Sequence, residues 1–82
     1  MIPGDPIIVL LLDDNCRRRG YLSRYLEMRG CHVHAAGLRQ CLSESLSRWP
    51  DMILIFSRWW LRIARRILAN PYLRHVEVYG CA

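Results

Sequence analysis

Apolar residues fall along this sequence in two rhythms, short unbroken runs and helical stripes, and the two alternate. Ile7–Leu12 is a run of aliphatics only, which reads as a strand buried on both faces. It breaks off into Asp13, Asp14 and Asn15, a turn suited to cap a helix. Cys16–Arg29 follows as that helix, with Leu22, Tyr25, Leu26 and Arg29 at i, i+3, i+4 and i+7, Tyr21 beside them, and Gly30 as the stop. Cys31–Ala35 is a short second strand, with His32 and His34 on one face and Cys31 and Val33 on the other. A second helix, about Leu38–Trp49, sets Leu38, Cys41, Leu42, Ser45, Leu46 and Trp49 on one side. Pro50 and Asp51 end it and launch Met52–Phe56, again apolar on both faces. The third helix, about Arg58–Ala69, separates Arg58, Arg62, Arg65 and Arg66 from Trp60, Ile63, Ala64, Ile67 and Leu68. Asn70-Pro71 stops it, and a last strand lies within Val76–Cys81.

Strands alternating with helices predict an α/β fold, a parallel sheet with helices on its faces. Residues 1–6, rich in Pro and Gly, are a lead-in, and residues 7–82 form one small domain. A chain of 82 residues buries only about 60–65% of the surface its unfolded form exposes.

Composition changes this picture in three ways. Net charge is +5 and every cation is Arg, since the chain has no Lys; it has no Thr either. Arginine suits bidentate contact with carboxylates and phosphates. The four cysteines (Cys16, Cys31, Cys41, Cys81) lack C-x-x-C spacing, so neither a disulfide scaffold nor a zinc cluster is indicated. They read as small core residues, with Cys81 the one exposed to oxidation or bridging. No run approaches the roughly 18 apolar residues of a membrane span, and no signal peptide precedes Ile7, so the expected compartment is the cytoplasm.

Ile7–Asn15 followed by a helix, Pro50–Phe56, and Ile63–Arg74 together resemble the receiver domain of two-component response regulators, from residue 7 to the end. The resemblance implies a flavodoxin-like three-layer sheet and phosphoryl transfer to an Asp at the end of the third strand. It also implies an acidic pair, matched by Asp13 and Asp14, that holds Mg²⁺, a Thr or Ser after the fourth strand and a Lys after the fifth. The chain departs from that pattern at each remaining position. The phosphoacceptor position is Phe56, which has no nucleophilic oxygen. Ser57 beside it has no evident base. The Thr and Lys are absent, and the sequence stops after four strands and three helices. The expectation is therefore an incomplete receiver, strand order 2-1-3-4, that is not an enzyme and needs no cofactor. At most it keeps weak Mg²⁺ binding at Asp13 and Asp14, which otherwise pair with Arg17–Arg19.

Right-handed crossovers then put the first helix alone on one face and the other two opposite. One helix covers about 10 Å, whereas four strands span roughly 19 Å. The bare part falls on the third and fourth strands, and the fourth is a free edge. The expected interface is Met52, Leu54, Phe56, Val76, Val78, Tyr79 and Cys81, used in a two-fold homodimer. A sensor kinase or another receiver is an alternative partner, which would make the chain an adaptor or decoy. A different class of function, a small basic nucleic-acid-binding dimer, would use Arg58, Arg62, Arg65 and Arg66 beside Trp59-Trp60. Its weakness is that so wide an apolar arc already suits a core-facing helix with solvated arginines. His32 and His34 lack a third ligand and read as half-exposed strand residues.

Overall fold

The computed structural model describes residues 6–81, so the lead-in assigned to residues 1–6 lies, but for Pro6, outside the described residues. The elements are β1 (Ile8–Asp13), α1 (Cys16–Met28), β2 (His32–Ala36), α2 (Cys41–Arg48), β3 (Met52–Phe56), α3 (Trp60–Leu68) and β4 (Glu77–Cys81). Short 3₁₀ turns, Leu38–Gln40 and Pro71–Leu73, lead into α2 and away from α3. The strands form one all-parallel sheet in the order β2-β1-β3-β4. The fold class is the one the alternating patterns predict, and the strand order is the one the receiver resemblance implies.

The helices divide as crossover handedness requires. α1 lies against β1 and β2, whereas α2 and α3 pack on each other, with α2 over β1 and β2 and α3 over β3 and β4. The main core sits on the two-helix side. Leu10, Leu12, Ile53 and Ile55 of the central strands meet Cys41, Ala64, Ile67, Leu73 and Val76 there. Their strand neighbours Val9 and Leu11 are equally buried but point to the α1 side. α1 itself contributes no fully buried residue.

Four local expectations need correction. Asp13 belongs to β1 and is buried, 1% exposed, where a turn was expected. The α1 stripe is rotated: Leu22 and Leu26 face in beside Arg19 and Ser23, while Tyr21 and Tyr25 are exposed. The start of the helix explains its phase. Asn15 caps it by accepting from the Arg18 N–H at 3.0 Å, and the Arg19 guanidinium donates to the Asp13 carbonyl at 2.9 Å. Trp49, placed inward by periodicity, is 57% exposed, because α2 ends at Arg48 and Trp49 turns to a φ of 50°. The residue before a proline is crowded out of right-handed helix, and Trp49 precedes Pro50.

The fourth correction concerns the expected interface. Val76 is buried in the main core and Val78 packs against it. Strand alternation turns Val78 toward α3 and its neighbour Tyr79 away. Gly80 shares the α3 side, and there a Cβ would fall inside the Trp60 indole, so the first residue of α3 lies directly on the β4 backbone. Only Met52, Leu54, Phe56, Tyr79 and Cys81 of the expected set face the α1 side.

Candidate functional site: the carboxyl end of the sheet

Parallel register brings Asp13, Phe56 and Cys81 side by side at the carboxyl ends of β1, β3 and β4. This is where open α/β sheets place their ligands. Asp13 is the buried acid of the row, and its oxygens are fully engaged. Arg18, one turn into α1, donates to it bidentately, Nε to Oδ2 at 2.6 Å and Nη2 to Oδ1 at 2.9 Å. The Asn15 N–H adds a bond to Oδ1 at 2.9 Å. The paired guanidinium holds the Asp13 carboxyl below its usual range, against the opposing pull of burial. The pairing in turn raises Arg18.

The same guanidinium lies 5.4 Å from the centre of the Phe56 ring, a cation–π contact. Arg18 thus bridges the acid of β1 and the aromatic residue at the end of β3. Asp14 is occupied differently: it accepts the Leu38 N–H at 2.9 Å and ties the β1–α1 loop to the start of the 3₁₀ turn before α2. Ser57 Oγ accepts the Trp59 N–H at 3.0 Å, which shapes the turn into α3.

These donors do not fit a Mg²⁺ site. Mg²⁺ takes near-octahedral oxygen coordination. Here one carboxylate is paired bidentately with a guanidinium, the second accepts a backbone N–H, and the neighbouring strand ends in a phenyl ring that offers no oxygen. Among the described residues no group of three or more His, Cys, Asp or Glu could hold a metal ion. His32 and His34 pack edge to face, centroids 4.9 Å apart, and partial burial lowers His34 together with nearby Arg48 and His32.

The row continues into an exposed face along β4 and β3. Glu77, Tyr79 and Cys81 are all exposed, while Val78 and Gly80 between them are half-buried under α3. Beside them Met52, Leu54 and Phe56 of β3 are half-buried. The Tyr79 hydroxyl donates to Glu77 at 3.1 Å, and this bond raises the phenol's pKa. The arginines of the third helical segment (Arg58, Arg62, Arg65 and Arg66) are all in solvent. Sequence reasoning had Arg17–Arg19 near the acidic pair, but not that Arg18 alone takes the carboxylate, nor that Phe56 receives its cation. The one available signal was the basic first turn, a sign opposed to the helix dipole.

Comparison with models of protein families, with curated proteins and with solved structures finds no match to this chain. Among the described residues no helix is long and apolar enough to cross a membrane.

Proposed function

We propose that the chain is a degenerate receiver-like protein that acts by protein–protein contact and not by phosphoryl transfer. A four-stranded parallel sheet of order 2-1-3-4 with three helices is compatible with a receiver-like fold. The acidic pair and Phe56 support the finer reading, and Arg18 fills the cation's electrostatic role without a metal.

One observation carries the interaction role: Glu77, Tyr79 and Cys81 of β4 are exposed, and β4 is the last strand of the sheet among the described residues. The Glu77 N–H donates to Asp51 and the Cys81 carbonyl accepts from Ser57, so these residues bond toward β3. Alternation leaves the N–H and C=O groups of Val78 and Gly80 pointing away from the sheet. Such an edge pairs readily with a further strand, most simply β4 of a second copy across a two-fold axis. Met52, Leu54, Phe56, Tyr79 and Cys81 then supply the side-chain surface. A sensor kinase or another receiver would use the same edge, as adaptor or decoy contacts in two-component signalling.

Light scattering at micromolar concentration tests this. The expected mass is twice the 9.7 kDa chain. Tyr79→Arg, which sets two cations against each other at the axis, is expected to give a folded monomer. A wild-type monomer that melts cooperatively overturns the proposal.

A further inference from the structure

The excess charge of this molecule is not spread over it. Five of the twelve arginines and none of the seven acids fall between Met52 and Val76, so this stretch carries a charge equal to the whole chain's +5. The seven arginines elsewhere balance the seven acids. Among the described residues no acid forms an ion pair with an arginine of α3. Asp13 is held by Arg18, Asp14 by the Leu38 N–H, Asp51 by the Ile8 N–H, Glu44 by Arg48 and Glu77 by Tyr79. Among the described residues the only ion pairs are those of Arg18 and Arg48.

The geometry gathers this charge. Arg62, Arg65 and Arg66 share the outer side of α3, opposite buried Ala64 and Ile67. Arg58 and Arg62 both sit against the indole of Trp59, their guanidinium carbons 5.0 and 5.4 Å from its ring centre. Trp59 remains 52% exposed and Tyr72, in the turn after α3, 67% exposed. Two cations without an ion pair among the described residues thus lie against one aromatic surface left in water, with a second exposed ring in the turn that follows the helix.

We infer that the outer face of α3 and the turn that leads into it, with Arg58, Trp59, Arg62, Arg65 and Arg66, bind single-stranded nucleic acid. A single strand repeats the two chemistries this face offers, a phosphate for each guanidinium and an unpaired base for the indole ring. An acidic peptide supplies the charge but nothing to stack, and a duplex hides its base faces. This surface lies across the sheet from the open β4 side, so it does not depend on the dimer proposal.

The test is anisotropy of a labelled oligothymidylate, and its RNA counterpart, titrated with the full chain. About four phosphate contacts predict a log–log salt slope near −3, so affinity falls about 50-fold between roughly 50 and 200 mM salt. The Arg62→Ala/Arg66→Ala variant is expected to halve that slope. Trp59→Ala is expected to lose about tenfold in affinity without changing it. Arg24→Ala/Arg29→Ala, an equal loss of charge on α1, is expected to bind like the wild type. Absence of binding at low salt, equal loss in the α1 variant, or binding to anionic phosphatidylserine vesicles in place of the oligonucleotide overturns the inference.

Discussion

The Arg18–Asp13 pair shows how one side chain changes what a site can do. Asp13 is buried and its carboxyl is held below the usual range by the guanidinium bonded to it. A carboxyl lowered in the folded state stabilises fully above its unfolded value, and that contribution disappears as pH falls through the folded value. Asp13→Asn is therefore expected to melt well below the wild type at neutral pH. The gap should close as pH drops below the ordinary carboxylate range, which melting curves across an acid series would show. The acid pair was visible in the sequence because it follows an unbroken aliphatic run. Its partner was less visible, because three consecutive arginines differ only in helical phase, and that phase is fixed by the Asn15 cap. Trp49 escaped periodicity for a related reason: a backbone turn before Pro50, at a φ of 50°, takes it off the helix surface it would otherwise share.

At the level of elements, the contact between α3 and β4 rests on a missing side chain. Trp60 lies where a Cβ of residue 80 would stand. Gly80→Ala must displace the indole or the strand and is expected to destabilise by about 2–3 kcal/mol, read from denaturant unfolding. In a Trp60→Leu background the same substitution should cost clearly less, since the two residues are coupled. No pattern in the sequence announces this pair. The sequence places Gly80 within the last strand without a reason for it, and only the packed helix reveals one. The elements themselves were legible, because alternating runs and stripes survive small shifts of boundary; the helix ends moved by one to three residues, the most at the start of α2, where Leu38–Gln40 forms a 3₁₀ turn.

Over the whole molecule the two sides of the sheet are unequal. Leu10 and Leu11 are adjacent and both fully buried, yet Leu10 faces the large core under α2 and α3 while Leu11 faces α1. Leu10→Ala is expected to cost about 4 kcal/mol, near the upper part of the range for such deletions. Leu11→Ala should cost about 2–3 kcal/mol, because α1 has no fully buried residue and can settle into the space. Chemical denaturation of the two variants compares them directly. This asymmetry was readable from crossover handedness and element widths once the resemblance supplied the strand order. Which residues of the last strand belong to which side was not, until the register of Val78 against Ile53 fixed the alternation.

A counter-ion that belongs to the chain cannot be chelated, exchanged or withheld. On the reading proposed above, Arg18 takes that role, and neither a metal pool nor a phosphate donor would have a handle on the end of the sheet. Such a molecule is governed by how many copies exist. Its occupancy of any partner follows mass action, so synthesis and turnover take over the control that a chemical switch would otherwise exert.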